Sequence, residues 1–344
     1  MADGQVNLAV FSVAPYMHAQ VEIWTKEFPS VKLIDAVLGP STAALASGCN
    51  VVCAFVNDVV SAEVLDILAE LGVKAIAMRC AGFDRVDLKK ASELGIVVLR
   101  VPAYSPYAVA EHAVTLMMAL NRQIVKAAVH ARMLNYDLSG LVGFDMHGKT
   151  VGVVGSGKIG RCTAAILIGM GCKVLTFDPY ENQEAKDMGM VYVSLDELLT
   201  QSSIITLHCP LMPSTKHIIN AETIAKMKPG VMLINTSRGG LVDTAAVIDA
   251  LDSRQIGALG TDVYESEGGL FFSNPSAHTD DTPGASLPRE FNKELSALVG
   301  HPNVIVTPHM AFLTQDALVN IAKTTVLNLT EFAKGGPYTN LVKA

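Results

Sequence analysis

Apolar positions along the chain fall into two successive alternations. In the first hundred residues, short apolar runs (NLAVFSV, KLIDAV, NVVCAFV, KAIAMR and GIVVLRV) alternate with stretches of helical periodicity at residues 18–27, 62–71 and 88–94. Short runs that are apolar at successive positions predict strands buried on both faces, and their regular alternation with helices predicts a parallel sheet covered on both sides. The second alternation begins near Gly148. TVGVVG, KVLTFD, VYV, SIITLHC, VMLINTS, ALGTDV and NVIVTPH read as strands, with helices at residues 195–199, 222–227 and 244–251. Between the two lies a stretch from Tyr107 to about Arg132 with few breakers, led in by Pro102, Ser105 and Pro106, which predicts one long helix. Residues 314–334 form an amphipathic helix outside the second alternation, expected to pack back on the first unit. Residues 268–295 read as a polar insertion anchored by Leu270, Phe271 and Phe272; loops of that length are commonly functional.

The second alternation opens on TVGVVGSGKIG, where an apolar strand runs into Gly155, Gly157 and Gly160. The next strand, KVLTFD, ends on Asp178, twenty-three positions after Gly155. The first glycine permits a tight turn, the second a close approach to a pyrophosphate, and the third close packing of helix on strand. The acid meets a ribose diol. N–H groups at the helix start, near Lys158 and Ile159, suit phosphate oxygens, aided by the helix dipole. Asp178 repels a 2′-phosphate, and no Arg or Lys follows in Asp178-Pro179-Tyr180, which predicts NAD rather than NADP.

Composition narrows the class. A chain of 344 residues exceeds what one core usually covers, so two domains are expected. A net charge of −7 provides no basic footprint for nucleic acid. No apolar run reaches the length that spans a bilayer, and the first residues resemble neither a signal nor a transit peptide. The six cysteines show neither C-x-x-C nor zinc spacing, consistent with reduced thiols in an intracellular, cytoplasmic setting, or in an organelle if a transit segment has been removed.

Cofactor and substrate are expected beyond the carboxyl ends of the strands of the second unit. Those ends carry Gly155, Asp178, His208, Ser237 with Arg238, Asp262 and His309. Arg238 follows a strand in INTSRGGLVD, Glu267 lies just past one in GTDVYESE, and His309 ends NVIVTPH. Hydride transfer to a 2-oxo acid needs an acid for the carbonyl oxygen, which suits His309 backed by a carboxylate. It also needs a cation for the substrate carboxylate, which suits the planar fork of Arg238. No second ligand stands at metal spacing near His309, so no metal is expected. His112 and His130, on the long helix, read as core or surface histidines.

RCAGFDRVDL, VPAYSPYAVAEHA, GVVGSGKIG, FDPY, LHCPL, MKPGVMLINTSRGGLVD, GTDVYESE and TPHMAFLT occur in this order along nearly the whole chain. In these motifs the chain resembles the D-2-hydroxyacid dehydrogenases, and within them the fermentative D-lactate dehydrogenase branch, as Tyr104, the Leu-Phe-Phe insertion and His309-Met310-Ala311-Phe312 also suggest. The resemblance implies two Rossmann-like α/β domains with parallel sheets, one flavodoxin-like and substrate-binding (1–103 with 312–344), the other NAD-binding (104–311). It implies Arg238 as the substrate-binding arginine, His309 as proton donor and Glu267 as its partner. NAD contacts would fall at Lys158, Ile159, Asp178, Cys209, Pro210, Thr215, Thr236, Ser237 and Asp262. Backbone N–H groups of Ala81 and Gly82 would hold the substrate carboxylate, with Tyr104 facing the pocket. Ser156 stands where the family tolerates several residues, and Cys209 reads as a buried, inert thiol.

The implied activity is reversible NADH-dependent reduction of pyruvate to D-lactate by a homodimer or homotetramer, with the long helix packing across a two-fold axis. A broader reductase for longer or aromatic 2-oxo acids is the nearest alternative; Tyr104, Met310 and Phe312 favour the small substrate. NAD-sensing corepressors share the resemblance and can retain the catalytic residues, but the chain lacks their basic or low-complexity interaction segments.

Overall fold

The computed structural model describes residues 5–267 and 292–343. Contacts within it divide the chain into two units, Met1–Ser105 with Leu313–Ala344, and Pro106–Phe312.

In the first unit, β1 (Asn7–Val10), β2 (Ser30–Leu33), β3 (Val51–Ala54), β4 (Ala75–Met78) and β5 (Val97–Arg100) form one parallel sheet in the order β2-β1-β3-β4-β5. This is the flavodoxin-like arrangement, with helices α1 (His18–Glu27), α2 (Ala62–Glu70) and α3 (Leu88–Glu93) in the connections. Ser61 accepts a hydrogen bond from the Val64 N–H, and Asp87 from the Lys90 N–H, so each satisfies a donor that its helix start leaves unpaired. Every residue of β3 and β4 is buried, as interior parallel strands require. Leu8, Val10, Trp24, Val51 and Ala77 share a core with Ala322 and Leu329 of the last helix, Gln315–Ala333. Asn328 Nδ2 donates to the Arg100 carbonyl at 2.8 Å. The edge strand differs from its apolar pattern: β2 is Ser30–Leu33, mostly exposed, and precedes most of the KLIDAV run. An edge strand has one neighbour and one covered side, so its residues need not be the most apolar nearby.

The second unit begins with α4 (Pro106–Asn121) and α5 (Ile124–Arg132), followed by β6 (Thr150–Val154), α6 (Lys158–Gly169), β7 (Lys173–Phe177), α7 (Gln183–Met188), β8 (Val191–Tyr192) and α8 (Leu195–Gln201). It continues with β9 (Ile204–Leu207), α9 (Ala221–Ala225), β10 (Val231–Asn235), α10 (Thr244–Asp252), β11 (Ile256–Thr261), α11 (Lys293–Gly300) and β12 (Val304–Val306). The sheet is parallel throughout, in the order β12-β11-β10-β9-β6-β7-β8. The chain runs outward from β6 to β8 and restarts beside β6 at β9. Neighbouring strands there leave in opposite directions and open a crevice at their carboxyl ends.

Side-chain alternation sorts this unit's core onto two faces. Val151, Val153, Ile204, Met232 and Ile234 pack with Leu116, Met117 and Leu120 of α4 and with Ala164 and Leu167 of α6. Ile205, Leu207, Leu233 and Leu259 pack on the opposite face with Leu198 and Val247.

The single helix expected from Tyr107 to about Arg132 is two helices. Gln123 adopts φ 50°, and α5 restarts behind it. Asn121 accounts for the break, because its side chain donates to the Phe144 carbonyl and accepts from the Phe144 N–H, both at 2.8 Å. No Pro or Gly marks the site. Residues 268–291 of the expected insertion, with its Leu-Phe-Phe anchor, lie outside the described residues; α11 begins at Lys293, capped by Asn292. Among the described residues, no helix is long and apolar enough to cross a membrane.

Candidate active site

The β6–α6 turn has the shape of a phosphate cradle. Gly155 has φ +99°, and a Cβ there would lie 2.7–2.9 Å from backbone atoms of His208 and Cys209. A Cβ on Gly160 would lie 2.0 Å from the Gly155 carbonyl oxygen, whereas one on Gly157 would meet nothing within 4 Å. Two of the glycines are thus demanded by the protein's own packing, and the second leaves open space at the start of α6, where exposed Lys158 and half-buried Ile159 follow. At the end of β10, the buried Thr236 hydroxyl has no hydrogen-bond partner within the described residues. A dinucleotide fits both features: an open glycine turn at the start of a twelve-residue helix, and an orphaned hydroxyl at a neighbouring strand end.

Asp178 ends β7 with its carboxylate already held. Oδ2 accepts from the Ser156 N–H at 2.8 Å and its hydroxyl at 3.1 Å, and Oδ1 accepts from the Tyr180 N–H at 2.9 Å. Tyr192 donates its hydroxyl proton to Ser156 Oγ at 2.8 Å. Ser156, read from the sequence as a tolerant position, is therefore a support for the acid. One cation stands nearby that the local sequence around Asp178 did not reveal. Arg161 donates to the Ser156 carbonyl at 3.0 Å, and its other arm pairs with Glu184 at 3.1 Å.

The next strand ends are tied to one another. Thr215 donates to the Pro210 carbonyl at 2.6 Å and accepts from the Met212 N–H at 2.8 Å, fixing the loop after β9. Ser237 donates to the Cys209 carbonyl at 2.7 Å, tying that loop to the end of β10. Burial pushes the Cys209 thiol up to about 11, so at neutral pH it stays protonated and unreactive. Burial lowers the His208 imidazole to about 4, and its Nε2 lies 2.9 Å from the Thr206 hydroxyl. The folded state thus refuses a proton that the unfolded chain accepts below about 6.5. Between those values the unfolded state binds more protons, so stability falls as pH falls. From pH 7 to pH 5 the loss traceable to His208 is expected to be about 2 kcal/mol. Urea midpoints of His208→Gln should lack that share of the decline; an unchanged pH dependence would remove His208 as its source.

Arg238, Glu267 and His309 follow the neighbouring strands β10, β11 and β12 of the same sheet. Arg238 follows β10, its main chain fixed by Asn235 Nδ2 donating to the Arg238 carbonyl at 2.9 Å. A Cβ on the next residue, Gly239, would lie 2.1–2.5 Å from backbone atoms of Tyr264 and Glu265, so only glycine lets the Arg238 turn approach the loop after β11. That loop carries Glu267, whose Oε1 lies 3.0 Å from His309 Nδ1. Both side chains are largely buried, at 15% and 19% exposure, which limits solvent screening of the pair. The carboxylate accepts, so Nδ1 carries a hydrogen. Glu265, two residues earlier, turns instead to His217 at 3.0 Å.

His309 sits at φ +55°, a conformation that typically costs a non-glycine residue about 1–3 kcal/mol and survives only where surroundings enforce it. Fully buried Asp262 supplies the enforcement. Its Oδ1 accepts from the Met310 N–H and Oδ2 from the Ala311 N–H, both at 2.8 Å, just after His309. The Thr307 hydroxyl, just before it, donates to Oδ1 at 2.5 Å. Thr307 escaped the sequence reading because a threonine at a strand end carries no signal of its own.

The remaining candidates belong to the first unit. Ala81 and Gly82 follow β4; the Ala81 carbonyl accepts from Arg100 at 2.9 Å, and the Gly82 carbonyl accepts from the Cys80 thiol at 3.2 Å. The Tyr104 carbonyl accepts from Asn320 of the last helix at 2.8 Å.

Residues 114–311 match the family described as D-isomer specific 2-hydroxyacid dehydrogenase, NAD binding domain. The chain is 48% identical over 338 residues to a 2-hydroxyacid dehydrogenase homolog of Haemophilus influenzae, covering 98% of this chain and 99% of the relative. It is 46% identical over 331 residues to the D-lactate dehydrogenase of Escherichia coli, covering 96% and 98%. A solved structure described as the pyruvate reductase of Chlamydomonas reinhardtii superposes with a TM-score of 0.91 at 49% identity, covering 98% of this chain and 99% of that one.

Proposed function

The chain belongs to the NAD-dependent D-isomer-specific 2-hydroxyacid dehydrogenases, and from that premise we propose that it reduces pyruvate to D-lactate, reversibly. The observation that carries this reading is the His309–Glu267 pair, 3.0 Å apart, at the sheet end that also presents Arg238.

Roles follow from the chemistry of the groups. NADH, when bound, supplies the hydride. Arg238 holds the substrate carboxylate through its planar fork. Glu267 orients the imidazole through Nδ1, so the proton to be given to the carbonyl oxygen is the one on Nε2. In oxidation of the hydroxy acid the same nitrogen takes the proton back. Gly155, Gly157, Gly160, Lys158 and Ile159 receive the pyrophosphate, and Asp178 the ribose. His208, Cys209, Pro210, Thr215, Thr236, Ser237 and Asp262 line the rest of the cofactor path. In this reading the cofactor domain is residues 104–311. The substrate domain is residues 1–103 with 312–344, in which Ala81 and Gly82 offer N–H groups to the carboxylate; Tyr104, the first residue past its boundary, limits substrate size.

Pyruvate is favoured over larger 2-oxo acids by the bulk of Tyr104, Met310 and Phe312, and by relatives described as a D-lactate dehydrogenase and a pyruvate reductase. Six free cysteines fit an intracellular, cytoplasmic enzyme. A homodimer is supported by exposed apolar side chains along and after α5: Val125, Val129, Met133, Leu134, Leu138 and Val142, the last 90% exposed. The test is NADH consumption with pyruvate against 4-methyl-2-oxopentanoate and phenylpyruvate, with chiral analysis of the product. Pyruvate is expected to have the highest kcat/KM and to yield the D-isomer; a larger acid in first place would reassign the substrate.

Cofactor choice follows from the held carboxylate of Asp178. The enzyme is expected to use NADH far better than NADPH. Asp178→Ala should narrow the ratio of kcat/KM values by about tenfold, a change of about 1.4 kcal/mol. The gap should not invert, because Arg161 remains tied to Glu184. Equal efficiency of the wild-type enzyme with both cofactors would refute the assignment.

A further inference from the structure

His112 lies on α4, far in sequence from the strand ends, and its Nε2 is 3.0 Å from the Thr307 hydroxyl and 3.4 Å from Asp262 Oδ1. Its ring is 15% exposed. Hydrogen counting fixes the direction of this chain of contacts. The Thr307 hydroxyl has one hydrogen, and the Asp262 carboxylate, which has none, takes it. The Thr307 oxygen must then accept from His112, so Nε2 carries a hydrogen in both the neutral and charged forms of the ring. The relay runs from His112 through Thr307 to Asp262, and Asp262 also accepts the N–H groups of Met310 and Ala311.

Asp262 therefore grips the chain on both sides of His309, through the Thr307 hydroxyl before it and the Met310 and Ala311 amides after it. The left-handed His309 backbone is the piece of this turn that would relax first if the grip loosened. His112 supplies the one side-chain donor that reaches this grip from another element, among the described residues. With the His112 hydrogen in place, the Thr307 hydroxyl cannot turn toward His112 without setting two hydrogens face to face, so its hydrogen stays directed at Asp262. Hydrogen bonds that polarise one another in series are stronger than the same bonds alone.

We infer that His112 is a positioning residue for the reaction: through Thr307 it locks the Asp262 carboxylate that holds His309 in its proton-donating orientation. The inference rests on the reading of His309 as donor. It adds a residue on α4 that touches neither the reacting atoms nor Glu267, and it replaces the expectation of an idle core or surface histidine.

The test uses the full-length enzyme with NADH and pyruvate. A small displacement of a catalytic group can cost up to about a hundredfold in rate. His112→Ala is expected to lower kcat about tenfold while the KM for pyruvate and the Kd for NADH each move less than about threefold. Thr307→Val should do the same, and the double variant should be no slower than either single one, because both break one relay. His112→Gln, whose amide can donate at the same place, and Thr307→Ser, which keeps the hydroxyl, should recover most of the rate. These conservative variants keep the test valid if the alanine variant folds poorly. A folded His112→Ala enzyme with unchanged kcat would overturn the inference. So would multiplicative effects in the double variant, or a glutamine no better than alanine. His309→Ala serves as the separate control: if it stays active, the donor reading fails, whatever the relay variants do.

Discussion

His309→Ala is expected to lower kcat for pyruvate reduction by about 10²–10⁴-fold, with NADH affinity nearly unchanged. The size follows from what the imidazole does. Hydride addition makes an alkoxide from the carbonyl, and without a positioned acid that charge must wait for water. NADH binding is spared because the cradle for the pyrophosphate and ribose, Gly155–Gly160 and Asp178, lies at other strand ends of the sheet. Glu267→Gln keeps the shape of the partner but removes its charge, so its loss should be smaller than that of His309→Ala and should fall on kcat. Stopped-flow single turnovers with saturating NADH read the chemical step directly. A His309→Ala enzyme with wild-type single-turnover rate would take the donor role away from this residue. Equal loss in NADH affinity would instead mean that the imidazole serves the cofactor.

Features written in local chemistry could be read before any coordinates. The glycine spacing in GSGKIG dictates a turn because its first and last glycines answer to neighbours within a few residues or to the adjoining strand, and the Cβ clashes at Gly155 and Gly160 are the physical form of that constraint. Both parallel sheets could be read from apolar runs, since strands buried on both faces need unbroken hydrophobicity. What escaped depends on contacts distant in sequence. The break at Gln123 is set by Asn121 pairing with the backbone of Phe144, and neither residue is a helix breaker. The support of Asp178 by Ser156 and Tyr192 joins three separate strand ends through hydroxyls that are common anywhere. His112 and Thr307 are 195 positions apart, and no pattern in either neighbourhood announces the other. The meeting of Glu267 with His309 lies between these cases. Chemistry asks for a carboxylate beside the imidazole, but the choice of Glu267 over Glu265 depends on how the loop after β11 turns back to Tyr264.

Arg238→Ala is expected to reduce kcat/KM for pyruvate by about 10³-fold or more, mostly through KM at first and through kcat where orientation is lost. Each charged hydrogen bond to a buried carboxylate typically contributes about 1.5–3 kcal/mol, and a planar guanidinium can make two in parallel. Two such bonds amount to about 3–6 kcal/mol, or roughly 10²–10⁴ in kcat/KM. Arg238→Lys restores the charge without the fork, so it should recover some of the affinity and little of the orientation. The backbone around the side chain is built independently of it. Asn235 holds the Arg238 carbonyl, and Gly239 allows the close approach to Tyr264, so the substitution should leave the strand end in place and the fold intact. A substrate lacking the carboxylate separates the two contributions. Reduction of a simple aldehyde or ketone, already slow in the wild-type enzyme, should be nearly insensitive to Arg238→Ala, because the lost partner was never engaged. If the variant loses the same factor on such a substrate as on pyruvate, Arg238 acts on the carbonyl rather than on the carboxylate.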